Sequence, residues 1–498
     1  MNWNQFEKGI VDTINHLETI HKKKISDAII IQDAVYGPIK LDKLAISLLE
    51  HPLIQRLRYI KQLGCANYVY PSANHNRFEH SLGVYFITCN IIEQLKKELI
   101  RQGINLEKDL DFKTLGNAMK AAAILHDIGQ PPFSHDLEPF LETAFIQKME
   151  SGEIEKAAPH ELLSKLIIEK SDFISNICEE FSIDKSLVGN FITGNEMKDS
   201  RYLFAQKVIN GDIDADKIDY LLRDAHFTGV PFGRIDYDRI LNMFTVWDDG
   251  QAFQLAGIKK GYMAFESLVI SRFQMFIAVY NHHTSRVASA MLLYRFNELQ
   301  KIGIEITPDQ LLSQVDASIL SKIANLEGQE PNQGAENNIG FNLMCRNLFK
   351  RFLLTDEEII IKNQKVKNFM ARFKPYYFTN QMKINDEINS IIKEKKDISN
   401  SKDFYHNLPY ILIDIPKEKL FSDLNFVLID PADPNIEEVQ QLRYIGRFLR
   451  HLSPLSPIIP WISYGFIQNR NNGDLNTKIK DLVLKYFKDK FDVKFWVE

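Results

Sequence analysis

His80 lies in the run RFEHSLGVYFIT (77–88). Val84, Ile87, Ile91 and Leu95 follow it at helical spacing and place the imidazole on the apolar face. A second histidine is followed at once by an aspartate, His126 and Asp127, at the end of the apolar run GNAMKAAAILHDIG (116–129). A further carboxylate, Asp216, heads the run DADKIDYLLRDA (214–225). An unpaired carboxylate in an apolar setting costs several kcal/mol unless it gains a partner or shifts its pKa. One cation shared by His80, His126, Asp127 and Asp216 would satisfy all four. Two imidazoles and two carboxylates make a mixed nitrogen and oxygen site that suits Mn²⁺, Fe²⁺ or Zn²⁺ and also admits Mg²⁺. Each residue has a purely structural alternative: a hydrogen-bonded core histidine, or an N-cap for a carboxylate near a helix start. Three motifs in this order, each on its own helical run, are hard to produce by capping alone.

Helices must position these groups, and helical patterns dominate from about residue 40 to 300. EHPLIQRLRYIKQLG (50–64) reads as one helix stopped by Gly64. PHELLSKLIIEK (159–170) reads as another, and 262–300 as a long, strongly apolar one. GQEPNQGAENN (328–338) and KEKKDISNSKD (393–403) are loops by composition. PYILIDIP (409–416) and NFVLID (425–430) read as strands, and the tail as an amphipathic helix followed by a last strand. The expected fold is mainly α, with a smaller mixed α/β region at the C-terminus.

The 498 residues are 45% hydrophobic and 25% charged, an ordinary globular composition. The 60 basic and 65 acidic residues give a formal net charge of -5. That balance does not support a general nucleic-acid binder, although it leaves a local basic groove open. Cys65, Cys89, Cys178 and Cys345 stand far apart with no CxxC, which argues against a zinc ribbon or redox pair and for a reducing compartment. The start is polar and amphipathic, without the apolar stretch of a signal peptide. No run reaches about 18 apolar residues, so no spanning helix and no membrane partner are expected. The expectation is a soluble, cytoplasmic protein.

H…HD…D, with its flanks IQRLRYIKQLG, HNRFEHSLGV, HDIG-PPFSH and DIDADKIDYLLRD, closely resembles the dNTP triphosphohydrolase branch of the HD-domain metal-dependent phosphohydrolases. That branch holds bacterial dGTPases and the sterile-alpha-motif/HD dNTPase of animals. The resemblance covers roughly residues 28 to 300, and no sterile-alpha-motif domain is visible. It implies an N-terminal amphipathic segment (1–27), an HD domain with a helical core (28–327) and a C-terminal region (328–498) for oligomerisation or regulation. It also implies that His80, His126, Asp127 and Asp216 are metal ligands. Arg77 and Lys217 would meet phosphate, and Tyr220 and Asp224 the deoxyribose. Arg272 and Tyr280 match further phosphate and sugar contacts, while Gln62 and Leu63 lie beside the sugar and base. His135 would supply the acid for the departing 5′ oxygen, and His160 a second histidine near the α-phosphate. Caps on a turn and on a helix are their structural alternatives.

Two positions depart from the family pattern. The family reads HDxGH where this chain reads HDIGQ, so Gln130 replaces a histidine that pairs with a carboxylate aligned here with Glu138. Glutamine cannot titrate and so cannot shuttle a proton. Phe276 stands where one family branch has a histidine near the sugar. Residues that read guanine at a regulatory site in the animal branch correspond to Glu50, Gln55 and Arg58, and a nearby lysine is replaced by Ile29. Solvated helix charges are the alternative for these three. The resemblance thus implies hydrolysis of a dNTP to deoxynucleoside and triphosphate, a nucleotide effector, a homodimer or homotetramer, and a use in antiviral dNTP depletion. The competing functions are an HD phosphohydrolase acting on another nucleotide and a non-catalytic nucleotide-sensing oligomer. A nuclease is disfavoured by the charge balance.

Overall fold

The three motif-bearing runs form three helices packed together at the centre of the molecule. In the computed structural model, Arg77–Arg101 opens at Asn76, whose side chain accepts a hydrogen bond from the Glu79 amide. It packs against both Phe112–Leu125 and Ala215–Thr228. The cap of the last helix is Asp214, which accepts from the Lys217 amide at 2.8 Å, so Asp216 lies inside the first turn and is not the cap. Pro159–Lys170, Asp172–Glu180, Lys185–Thr193 and Leu203–Ile209 complete the helical core. The N-terminal helix Trp3–Ile20 buries Phe6, Ile10 and Ile14 in that core, and its Glu18 accepts hydrogen bonds from Ser171 Oγ and the Phe173 amide. The structure describes residues 3–20, 29–301 (without 109, 155, 196 and 198), 306–325 and 339–353. Farther on it describes 383–384, 386–388, 390–391, 394–395, 410–414, 426–429, 461–465 and 473–491.

The fold is mainly α, and it departs from the sequence reading in detail. The run 50–64 is not one helix: Pro52–Arg56 passes into a 3₁₀ turn, Leu57–Tyr59, and Ile60 is extended. The break follows from competing partners, because the Lys61 amide donates to Asp316 Oδ2 at 2.9 Å and Lys61 bridges to Asn76. Gly64 begins a second 3₁₀ turn instead of ending a helix. The run 262–300 also breaks. Tyr262–Met275 widens into a π-helical turn, Phe276–Tyr280, and a new helix starts at His283 and ends at Lys301. By length and composition alone the helical stretch Lys259–Tyr280 is long and apolar enough to cross a bilayer, contrary to the expectation that no segment would be. It is apolar on two sides: Phe265 and Leu268 pack inward, while Met263, Ile270 and Ile277 are exposed.

Two antiparallel hairpins interrupt the helical region and were not anticipated, Ile29–Asp33 with Gly37–Leu41 and Phe244–Asp248 with Phe253–Ile258. The first is short and half exposed, and the second gives no alternating pattern because most of Phe244–Val246 is buried on both faces. Farther on, both expected strands appear, Tyr410–Asp414 and Val427–Ile429. Val427–Ile429 runs parallel to Phe253–Ile258 and so joins the C-terminal region to the helical core. Tyr410–Asp414 and Lys350–Leu353 flank Trp461–Gly465 in a third sheet. The expected tail helix is Gly473–Phe491. The loop 328–338, nearly all of 393–403 and the last strand lie outside the described residues.

A second apolar cluster forms around His283–Lys301, Asp316–Asn325 and Ile339–Met344. It takes in Phe133, Leu137 and Phe140 from the segment after HDIG. Phe133 and Ser134 both have left-handed backbone, at φ 57° and 53°, an unfavourable conformation for side chains of this kind. Asp316 holds the first of them, accepting from the Phe133 amide at 2.7 Å, and the Ser134 hydroxyl donates to the Lys61 carbonyl.

Candidate metal centre and active site

His80 and His126 arrive from different helices and meet with their Nε2 atoms 3.2 Å apart. Each Nδ1 is already committed. His80 Nδ1 faces Asp219 Oδ2 at 2.7 Å, and His126 Nδ1 faces the Ala123 carbonyl at 2.9 Å. Donation from Nδ1 turns both Nε2 atoms toward one another, an arrangement favoured only if a proton or a cation lies between them. Asp216 Oδ1 lies 2.9 Å from His80 Nε2 and 3.9 Å from His126 Nε2. These three residues form a compact group able to hold a metal ion. Asp127 Oδ2 is 3.6 Å from His126 Nε2 and 3.9 Å from His80 Nε2, and Arg77 Nη1 donates to it at 2.7 Å. The fourth expected ligand is therefore at the site, but its nearest oxygen is shared with a guanidinium.

The electrostatics fit a divalent cation. Burial disfavours a charge on His80, but Asp216 and Asp219 outweigh it and hold a proton there with a pKa of about 10. Burial and the neighbouring His80 lower His126. Asp127 and Asp216 stay below the usual carboxylate range despite burial, the first mainly through Arg77 and the second through His80. Without metal the group thus keeps its carboxylates ionised and one proton among them, and a cation would displace that proton. Gly129 of HDIG lets the site close: a Cβ there would meet the Ser164 amide nitrogen at 2.6 Å and the His160 carbonyl at 2.8 Å.

Beside the cluster opens a cavity of about 430 Å³. Of the expected substrate contacts, Gln62, Leu63, Arg77, Tyr220, Asp224 and Tyr280 line it. Asp224 accepts from the Tyr280 hydroxyl at 2.7 Å and is 2.8 Å from His75 Nε2, and the Tyr220 and Tyr280 rings meet edge to face at 6.0 Å. Phe276 also lines the cavity. Lys217 and Arg272 flank Tyr220: Lys217 Nζ donates to Asp214 Oδ2 at 2.5 Å, and Arg272 lies against Tyr220 and Phe276. Burial would lower both cations, but Asp214 raises Lys217 and Tyr220 raises Arg272, so both stay charged. Gln62 Oε1 and Ser285 Oγ, both buried at the cavity wall, have no hydrogen-bond partner among the described residues.

His135 and His160 converge on one carboxylate. His135 Nδ1 is 3.0 Å from Glu138 Oε2, and His160 Nδ1 bonds Glu138 Oε1. Glu138 sits well below its usual range despite burial because of the two histidines, and it lifts His160 to about 9 against the effect of burial. His135 is the more exposed of the two and lines the cavity. Gln130 does not join them. Its side-chain amide is buried, bonds to no group among the described residues and is absent from the cavity wall. The carboxylate expected to pair with position 130 is held by His135 and His160 instead, both within reach of Glu138 where the glutamine amide is not.

The residues expected at a regulatory site lie close together. Gln55 Nε2 donates to the Leu49 carbonyl at 2.6 Å, and Arg58 Nε donates to Gln55 Oε1 at 2.8 Å. Arg58 is exposed and lies over the Phe78 ring at 3.5 Å, while Glu50 Oε2 is buried without a hydrogen-bond partner among the described residues. Sequence reasoning missed Asp219, Arg223, His75 and Asp316. Asp219 and Arg223 carried a signal, an acid–base pair at i and i+4 that shares a helix with Asp216. His75 and Asp316 carried none, because their partners are 149 and 183 or more residues away.

The HD domain matches residues 77–224, and the HD associated region matches 235–459. An uncharacterized protein of Methanocaldococcus jannaschii is 30% identical over 416 residues, 83% of this chain and 75% of that protein. Uncharacterized protein YwfO of Bacillus subtilis is 31% identical over 288 residues, 57% of this chain and 59% of its own length. Deoxynucleoside triphosphate triphosphohydrolase SAMHD1 of Homo sapiens is 28% identical over 323 residues, 60% of this chain and 48% of the human protein, so the match spans about half of that relative. Fold and cluster together define a metal-dependent phosphohydrolase. The chain belongs to the HD-domain family, with an HD domain followed by the HD associated region.

Proposed function

We propose that the protein is a deoxynucleoside triphosphate triphosphohydrolase that uses His80, His126, Asp127 and Asp216 as ligands for Mn²⁺, Fe²⁺, Mg²⁺ or Zn²⁺. The observation that carries the reading is the cavity wall beside the cluster. Tyr220, Asp224, Tyr280 and Arg77 line it, with the cations Lys217 and Arg272 beside Tyr220, which supports a sugar held by the first three and phosphates met by the three cations. The SAMHD1 relatives of Homo sapiens, Gallus gallus and Dictyostelium discoideum, each named as this kind of enzyme, support the same reading.

A divalent cation held at the cluster supplies Lewis acidity and positive charge at the reacting phosphorus. The chain's own residues do the rest. Arg77, Lys217 and Arg272 neutralise the triphosphate and orient it. Tyr280 and Asp224 hold the sugar so that the 5′ oxygen faces His135. Glu138 fixes His135 through Nδ1 and leaves Nε2 turned to the substrate. Water adds to the α-phosphorus and keeps one hydrogen as the new P–OH, its other proton passing to solvent, while the bond to the 5′ oxygen breaks and His135 Nε2 delivers the proton that oxygen needs. The products are a deoxynucleoside and inorganic triphosphate. His160, tied to the same carboxylate, keeps Glu138 ionised. Gln130 takes no part in proton transfer.

Regulation is part of the proposal. Arg58, stacked on Phe78 and bonded to Gln55, would read an effector nucleotide together with Glu50, in a homodimer or homotetramer. The decisive experiment is product analysis with Mn²⁺, using each dNTP singly and then all four together. Deoxynucleoside and triphosphate, absent with Asp216→Ala, are expected; turnover confined to the mixture would point to an effector, and its loss on mutating Arg58 would locate the site there. Mn²⁺ binding without deoxynucleoside from any dNTP would overturn the substrate assignment. Another nucleotide, for which the missing histidine at position 130 leaves room, would then be the reading to pursue.

A further inference from the structure

Arg223 and Asp219 are fully buried, and Asp33, the second carboxylate that Arg223 touches, is 6% exposed. Its Nε and Nη2 donate to Asp219 Oδ2 and Oδ1 at 2.9 and 3.0 Å, and its Nη1 donates to Asp33 Oδ2 at 2.9 Å. The two-pronged contact fixes the plane of the Asp219 carboxylate in a way a single hydrogen bond cannot. That same carboxylate holds His80 Nδ1. Asp33 in turn belongs to the hairpin Ile29–Leu41. Its Oδ1 accepts from the Val35 and Tyr36 amides at 2.8 and 3.0 Å, which shapes the turn between the two strands. Tyr36, in that turn, stacks on Phe86 of the His80 helix at 4.8 Å and lies 5.7 Å from the Arg223 guanidinium.

The chain of contacts therefore runs from a surface hairpin to the inner face of His80 with no exposed link. At its outer end Ile29 and Ile30 are exposed, 38% and 63%. At its inner end the Asp219 carboxylate sets which His80 nitrogen carries hydrogen and where the other one points. A carboxylate partner on a ligating imidazole commonly governs metal affinity by about 10–100-fold. Asp33 is needed for this because a guanidinium facing one carboxylate alone can swing, whereas one facing two is locked.

We propose that Asp33, Arg223 and Asp219 are positioning residues that make the hairpin Ile29–Leu41 a remote determinant of cation retention at His80. The inference rests on the reading of His80 as a metal ligand. It extends that reading to a part of the molecule that touches neither metal nor substrate.

The test is a double-mutant cycle read by calorimetric Mn²⁺ titration of the full chain, with His80→Ala as the control. Asp219→Asn should weaken Mn²⁺ binding about 10–100-fold. Asp33→Asn should weaken it several-fold, and the double variant should match Asp219→Asn alone, since Asp33 acts only through Asp219. Unchanged Mn²⁺ affinity in Asp33→Asn, or an effect that adds in full to that of Asp219→Asn, overturns the proposal. If Asp33→Asn does not fold, Arg223→Lys keeps the charge but cannot span both carboxylates. It should then weaken Mn²⁺ binding likewise, and wild-type affinity in that variant is equally fatal. Mn²⁺ binding that survives His80→Ala would instead overturn the metal-site reading itself, a result distinct from failure of the positioning role.

Discussion

Gly83 lies inside the helix Arg77–Arg101, where alanine would ordinarily add about 1 kcal/mol of stability through helix propensity. Here the opposite is expected. A Cβ at Gly83 would sit 2.5 Å from both Asp219 Cγ and Arg223 Nη2, and closer still to Asp219 Oδ1. Nonbonded carbon contacts settle near 3.5–4.0 Å, so the carboxylate must retreat by about 1 Å or more. That retreat lengthens its bonds to His80 and to Arg223, now 2.7, 2.9 and 3.0 Å. Breaking a buried ion pair costs about 3–5 kcal/mol, and the propensity gain offsets about 1 of it, leaving a net loss of about 2–4 kcal/mol. Gly116→Ala is the matched control. Its Cβ would meet nothing nearer than Ile92 Cγ2 at 3.7 Å, an ordinary contact, so a gain of about 0.5–1 kcal/mol is expected. Urea unfolding of the metal-free protein, followed by circular dichroism, should move the two midpoints in opposite directions, and Mn²⁺ titration should show weaker binding only for Gly83→Ala. A Gly83→Ala midpoint that rises together with that of Gly116→Ala, at wild-type Mn²⁺ affinity, would refute the claim that Asp219 is confined.

Three further outcomes follow from the site. His126→Ala removes one of two facing imidazoles and should abolish stoichiometric divalent-metal binding, measured by metal analysis after dialysis, with hydrolysis falling about a hundredfold or more. Tyr280→Phe loses a hydrogen bond to a buried carboxylate, a loss of about 1.5–3 kcal/mol that steady-state kinetics should register as a raised KM for the nucleotide. The pair Glu138–His160 predicts a pH window for stability. Glu138 is depressed in the folded state, so its contribution is present above about pH 4.3 and lost as pH falls. His160 is raised to about 9, so its contribution is full below about pH 6.5 and lost as pH rises through 9. Thermal unfolding from pH 3 to 10 should flatten on both sides in Glu138→Gln, and an unaltered profile would count against the pairing.

The motifs could be read from the sequence because their chemistry is local. His80, His126 and Asp216 each stand out against an apolar helical run, and helical spacing turns them inward. The breaks at Ile60 and after Tyr280 could not be read this way, since both segments are apolar and helix-compatible. Ile60 is diverted where Asp316, 255 residues from Lys61, captures the next amide. The same distance effect hid His75, whose value lies entirely in Asp224. The substitution at position 130 was visible at once, but its consequence was not, because it depended on His135 and His160 already occupying Glu138.

Asp316 has a wider consequence. It lies outside the stretch that matches the HD domain, yet it clamps the left-handed loop that presents His135, and the neighbouring helix His283–Lys301 walls the cavity with Ser285, Arg286 and Ser289. Part of the cavity wall is thus written in a stretch of the gene separate from the H…HD…D motif. Substitutions there can recut the cavity while every histidine and aspartate of the motif remains in place.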